Sequence, residues 1–261
     1  MTALLKLEGY TLTYPRQTEP ALIDISLELA AGEKLAVIGE SGSGKSTLAR
    51  AVACLNPRGT CESGTISWPS LGRSAQAGSD FGMVFQDPGS NLNPVLRIGE
   101  QVAEAAREHL DLSWKEAEAV ALDLLKKVQI PQPEAALRAY PHQFSGGQRQ
   151  RIAIAAAIAA RPRLLIADEA TSALDTLVQA EIVRLIETLV TTEKMTLMFI
   201  THDIALASQL ADRIAVMHRG RLVEIGPAEE IVANPRDPYT RHLLDTHIDL
   251  DDAPRISGGA A

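Results

Sequence analysis

Cysteine is scarce in this chain: Cys54 and Cys61 are the only two among 261 residues. Two thiols build no disulfide framework, and free thiols suit a reducing compartment. Their contexts suggest one small buried residue and one loop residue, and neither is given a role. Long apolar runs are also missing. The longest, Ile152 to Ala160, has nine residues, against the roughly 20 needed to cross a bilayer. No apolar stretch follows a basic N-terminus, so a secretory leader is not expected. Positive charge is in deficit, with a formal net charge of -8. That argues against a nucleic-acid partner, which calls for a basic face. What remains is 46% hydrophobic and 22% charged, ordinary for a globular protein. The length suits one large α/β domain, or a core with one inserted subdomain.

The N-terminal runs LLKLEGYTLTY and LIDISLEL alternate apolar and polar residues, as half-buried antiparallel strands do. After the turn AAGE, KLAVIG reads as a short buried strand and KSTLARAVACL as a helix. GTISW and FGMVF read as strands on either side of a loop. From Asp87 to about Pro141 strand-like runs vanish. IGEQVAEAAREHL and SWKEAEAVALDLLKKVQI place apolar residues at helical spacing, which predicts a helical insertion. Strands and helices then alternate: a helix from Gly147, strand RLLIAD, helix LVQAEIVRLIETLV, strand TLMFIT, helix DIALASQLA, strand RIAVM. That order predicts a parallel sheet covered on both faces. HRGRLVEIG adds a turn and a last strand. The end, IDLDDAPRISGGAA, is polar and rich in Gly and Ala, and is expected to be mobile.

The chemistry concentrates in a few short segments. GESGSGKST matches the phosphate-loop pattern at Gly39, Gly44, Lys45 and Ser46, between a buried strand and a helix. Gly39, Gly42 and Gly44 let the backbone wrap closely around phosphate oxygens; Glu40, Ser41, Ser43 and Thr47 complete the loop. Lys45 is placed to reach the β- and γ-phosphates of a nucleotide, and the Ser46 hydroxyl to bind Mg²⁺. Asp168 ends a buried strand, at the ligand-binding edge of a parallel sheet, where it can hold Mg²⁺ through water. Glu169 is the candidate to orient and deprotonate the attacking water. Gln86 and His202 also follow apolar strands, which carries them to the same edge, within reach of the γ-phosphate, metal or water. A second anion-binding segment, FSGGQRQR, opens a helix with Ser145, Gly146, Gly147 and Gln148.

With these segments in this order, the chain resembles an ATP-binding cassette ATPase, the motor subunit of membrane transporters. The similarity runs from about Leu4 to Leu244. It implies a P-loop NTPase core with a mostly parallel sheet, an N-terminal antiparallel β subdomain and an inserted α-helical subdomain. The corresponding division is residues 1–86 and 151–235 for the core, 87–150 for the helical signature subdomain, and 236–261 for a C-terminal extension and tail. In that family two ATPase subunits pair head to tail, as homo- or heterodimers, and each Ser-Gly-Gly segment covers the partner's ATP. The resemblance therefore assigns Ser145, Gly146, Gly147 and Gln148 to a neighbour's nucleotide. It makes Tyr14 the aromatic stacked on adenine, Gln86 a metal-side residue, and Asp175, in SALD, the residue that bridges the two sites. The helical insertion is where the family meets its transmembrane permease subunits.

Finer marks narrow the resemblance. FQDPGSNLNP, YPHQFSGG and NPRDPYTRHLL are similar to the ATPases of peptide and nickel importers. Tyr140, Pro141 and His142 precede the signature, and Pro238, Tyr239 and Thr240 lie near the end. No cysteine follows Cys61, so an iron–sulfur cluster in that region is ruled out. Three positions depart from the family pattern. Phe144 stands for Leu, Ala170 for Pro after Glu169, and Ala156 for Arg in the helix after the signature. They bear on the contact between subunits and spare the reacting groups. The implied protein is an ATPase on the cytoplasmic face of a bacterial inner membrane, using ATP and Mg²⁺ and working indirectly with an extracytoplasmic binding protein. The alternative is a soluble cassette ATPase or a regulatory nucleotide-binding module uncoupled from transport.

Overall fold

The computed structural model describes residues 3–86, 92–170 and 175–251, with the side chains of 247–251 left aside. Most of SALD, part of FQDPGSNLNP and the last ten residues of the tail lie outside the described residues.

Two sheets organise the chain. β1 (Ala3–Thr13) pairs antiparallel with β2 (Leu22–Ala30) and β4 (Cys61–Ser67), in the order β2-β1-β4. Leu7 lies opposite Leu27 on one side and Ile66 on the other. The second sheet contains β5 (Phe81–Val84), β6 (Leu164–Asp168), β7 (Thr196–Ile200), β3 (Lys34–Ile38), β8 (Arg213–His218) and β9 (Arg221–Pro227), in that spatial order. All its pairings are parallel except β8 with β9. Leu35, Ala36, Val37 and Ile38 are fully buried, as a central parallel strand covered on both faces requires.

The register sets the position of the site. Asp168 stands opposite Ile200, and Ile38 opposite Val216. The segments that leave β3, β5, β6 and β7 therefore emerge at one edge. That edge is the carboxyl end of the strands, where open α/β sheets place their ligands.

Alternation along β6 and β7 divides the interior. Leu165, Ala167, Leu197 and Phe199 join a cluster with the helices α2 (Ile98–His109), α3 (Trp114–Lys127), α5 (Gly146–Ile158) and α6 (Thr176–Thr192). Leu164, Ile166, Met198 and Ile200 face the other way. They pack with β1, β2 and α1 (Lys45–Val52). Between β5 and α5 stand α2, α3 and the short α4 (Pro133–Ala136), as the helical spacing predicts. α2 buries Val102, Ala103 and Ala106 along one stripe. α3 starts at a capping box in which Ser113 N–H donates to Glu116 at 2.9 Å and the Glu116 N–H returns to Ser113 Oγ at 3.4 Å.

A third cluster lies against β3 and β8, on the same face of the large sheet as the first. It joins Ile204 of α7 (Ile204–Leu210), Ile231 of α8 (Ala228–Ala233) and Leu243 and Leu244 of α9 (Pro238–Asp251). α9 continues to Asp251, and the rest of the polar end lies outside the described residues. One expectation is corrected here. Cys54 is exposed rather than buried, just past the turn that ends α1, and Cys61 opens strand β4 rather than lying in a loop.

Candidate functional site

The loop after β3 is shaped by its glycines. Gly39 has φ 148°, and a Cβ there would collide with the Met217 carbonyl of β8. Gly44, at φ 105°, forms the N-terminal boundary of α1 with no side-chain cap. The first amides of α1 are therefore available to an anion, and the helix dipole favours one. Lys45 is 3% exposed. Its ammonium donates to the Gly39 and Glu40 carbonyls, each at 2.8 Å. Burial depresses its pKa, although Glu169, Asp168 and Glu40 pull in the opposite direction. Ser43 Oγ is buried without a hydrogen-bond partner. A bent loop with open amides, a stored cation and an orphaned hydroxyl fits a polyphosphate.

Asp168 closes β6 and is also 3% exposed. Ser46 Oγ donates to Asp168 Oδ1 at 2.8 Å. Burial raises the Asp168 pKa and the Glu169 charge adds to that; the Ser46 bond and the cations of Arg50 and Lys45 oppose it. A hydroxyl and a carboxylate in contact at a strand end suit a hard cation that prefers oxygen ligands. Among the described residues there is no cluster of three or more His, Cys, Asp or Glu that could hold a metal ion. The Ser46 hydroxyl and Asp168 carboxylate, in contact at 2.8 Å, fit Mg²⁺ as two oxygen ligands.

Glu169 takes φ 44°, a left-handed conformation that is unusual for a residue with a long side chain. Its N–H donates to the Ile200 carbonyl at 3.0 Å, and its carboxylate accepts the Gln86 amide at 2.9 Å. Gln86 and Glu169 thus meet across 83 residues of sequence, as their positions after β5 and β6 predict. His202 is exposed two residues beyond Ile200, at the same edge. Tyr14 also reaches this region: its hydroxyl donates to Thr47 Oγ1 of α1 at 3.1 Å.

The second glycine segment is built differently. Ser145 is the exposed N-cap of α5. Its Oγ accepts the Gln148 N–H at 3.3 Å, and Gln148 Oε1 accepts the Ser145 N–H at 3.0 Å. Gly147 is close enough to α6 that a Cβ would press on Val178. Asp175 caps α6 by accepting the Val178 N–H at 3.0 Å. The signature and Asp175 are therefore brought together. The helix behind the signature packs in the helical cluster, and the helix behind the phosphate loop packs in the other. Of the three departures, Ala170 is buried, and Phe144 and Ala156 pack partly buried against the helical cluster.

Sequence reasoning gave Tyr239 no part in this site. It lies in α9, and its hydroxyl accepts the Glu40 N–H at 3.2 Å. The local signal was the Asp237 that precedes Pro238 and Tyr239, a cap residue that announces a helix start.

A family model described as ABC transporter matches residues 22–172. The peptidoglycan transport ATP-binding protein YejF of Agrobacterium fabrum is 44% identical over 237 residues, covering 87% of this chain and 43% of that protein. The oligopeptide transport ATP-binding protein OppD of Bacillus subtilis is 41% identical over 257 residues, covering 94% of this chain and 72% of that protein. The chain thus spans less than half of the Agrobacterium relative's length. A dimeric structure of an ATP-binding cassette in a post-hydrolysis state, bound to ADP and Pi, superposes with a TM-score of 0.73 at 29% identity. It covers 86% of this chain and 98% of that one. No helix among the described residues is long and apolar enough to cross a membrane.

Proposed function

The chain belongs to the ABC transporter family, and from that premise we propose that it is the ATP-hydrolysing motor of a bacterial importer, with peptides or nickel and metal chelates as the cargo class. One observation carries the catalytic part: Lys45, Ser46, Asp168, Glu169 and Gln86 converge at one sheet edge through short contacts. The name of the Bacillus relative supports the peptide reading.

In this reading Lys45 leaves the Gly39 and Glu40 carbonyls and turns its charge to the β- and γ-phosphates. Tyr14 stacks on the adenine, a contact that needs only a ring face. Ser46 and Asp168, together with Gln86, would hold Mg²⁺, which would supply positive charge to the phosphate oxygens. Glu169 accepts the proton of the attacking water. Gln86 holds that carboxylate in place, and His202 faces the γ-phosphate. Ser145, Gly146, Gly147 and Gln148 cover the nucleotide of a second ATPase subunit, with Asp175 bridging the two sites. ATP then joins the two subunits, and loss of the γ-phosphate lets them part. Residues 1–86 with 151–235 form the core, 87–150 the helical part that meets the permease at the cytoplasmic membrane face, and 236–261 the extension.

The test is ATP turnover by the purified chain, alone and with its permease subunits, beside Lys45→Ala. The motor reading expects turnover that responds to the permease, and Lys45→Ala should bind ATP at least tenfold more weakly. Turnover indifferent to every membrane partner would point to a soluble module instead. ATP affinity unchanged in Lys45→Ala would overturn the reading of the loop.

A further inference from the structure

The C-terminal segment reaches the phosphate loop through a chain of hydrogen bonds. Glu224 on β9 accepts the N–H groups of Arg236 and Asp237, at 2.8 and 3.1 Å. Asp237 Oδ1 then accepts the N–H groups of Tyr239 and Thr240, at 2.8 and 3.4 Å. This fixes the first turn of α9. Leu243 and Leu244 bury its middle against β8, α7 and α8. The Tyr239 ring lies on the ring of His218, at the end of β8, with centroids 3.8 Å apart. So held, its hydroxyl accepts the Glu40 N–H at 3.2 Å.

That N–H belongs to the same peptide plane as the Gly39 carbonyl. The carbonyl accepts the Lys45 ammonium at 2.8 Å. One peptide plane of the loop is therefore gripped on both edges, by Lys45 within the loop and by Tyr239 from outside. Rotation of the plane breaks both bonds at once. The Gly39 conformation, with φ 148° and no Cβ to restrain it, makes such rotation easy unless something outside the loop opposes it.

We propose that Tyr239 is a positioning residue for the phosphate loop: its hydroxyl fixes the Gly39–Glu40 peptide on which Lys45 rests, and thereby couples the C-terminal segment to nucleotide binding. The proposal rests on the reading of this loop as the ATP site. An unfixed plane leaves the loop with more conformations to lose when phosphates bind, so affinity falls.

Tyr239→Phe removes the hydroxyl and keeps the ring against His218. Three quantities are read on the full chain. Hydrogen exchange of the Glu40 amide in nucleotide-free protein should speed up about fivefold, the equivalent of one neutral hydrogen bond of about 1 kcal/mol. The calorimetric Kd for ATP should rise by a similar factor, with wild type and Lys45→Ala as references. The melting temperature should stay within a degree or two of wild type. Unchanged Glu40 exchange or unchanged Kd overturns the proposal. So does a rise in Kd accompanied by a proportionate loss of thermal stability, which would show general loosening. If wild type binds no ATP, it is the reading of the loop that fails, and the exchange measurement still decides the Tyr239 contact.

Discussion

Replacing Ser145 by Asp separates two tasks assigned to one side chain. The first is local: Ser145 and Gln148 satisfy each other's N–H groups at the start of α5. Aspartate caps a helix about as well as serine, and its charge suits the helix N-terminus. The stability of Ser145→Asp should therefore stay within about 0.5 kcal/mol of the parent. Ser145→Ala lacks the acceptor and should lose about 1 kcal/mol. The second task is the proposed contact with a partner's γ-phosphate. A carboxylate about 4 Å from a phosphate charge is repelled by roughly 4 kcal/mol at an effective dielectric constant near 20. That is about a thousandfold in affinity at each shared site. The chain's own phosphate loop should be unaffected, because α5 and α1 pack in separate clusters. The assay combines each change with Glu169→Gln and follows ATP-dependent pairing by sedimentation velocity, supplying a sister subunit if the parent pairs only with one. Melting temperature and monomer Kd for ATP are recorded alongside. Ser145→Asp should melt and bind ATP like its parent yet remain monomeric, whereas Ser145→Ala should melt lower and still pair. Normal pairing by Ser145→Asp, or loss of ATP binding by its monomer, refutes the assignment in trans.

Glu169→Gln should keep ATP binding and lose nearly all turnover, because an amide accepts no proton from water; single-turnover kinetics check this, and near-wild-type rates would remove Glu169 from the base role. Asp168 gives a prediction in pH. Its pKa is raised in the folded state, chiefly by burial, so the folded protein holds this proton more tightly than the unfolded chain. Stability contributed by the site is therefore lost as pH rises through that window. Nucleotide-free Asp168→Asn should accordingly melt above wild type at neutral pH, with an advantage that shrinks as pH falls into the carboxylate range. Equal melting curves at neutral pH would contradict the burial cost, and addition of Mg-ATP should stabilise wild type more than the variant.

The phosphate loop was legible in sequence because its geometry is local: glycine spacing, a lysine and a hydroxyl occupy consecutive positions. Gln86 and Glu169 were legible for a different reason, since an apolar strand before each predicts the edge at which it emerges. Partners brought in from far along the chain left no such mark. Tyr239 reads as an ordinary helix-start aromatic until α9 folds back over β9 and β8. The Met217 carbonyl, which allows only glycine at position 39, is a backbone atom and carries no residue signature. Cys54 was misjudged because the apolar run before it suggests a helix interior. In the structure α1 stops at Val52, and Cys54 turns out at φ 54°.

At position 169 the backbone and the chemistry ask for different residues. A φ of 44° is free for glycine and costs most other residues roughly 1–2 kcal/mol. A copy of this chain released from selection for activity would relieve that strain by giving up the carboxylate, at the cost of its hydrogen bond to Gln86. Selection for stability alone would favour Gly or Asn over Glu at this position wherever the relieved strain outweighs that bond. Its glutamate is thus a sensitive gauge of whether a duplicated copy is still under selection to turn over nucleotide. A selection for heat stability without a selection for turnover would be expected to find this codon early.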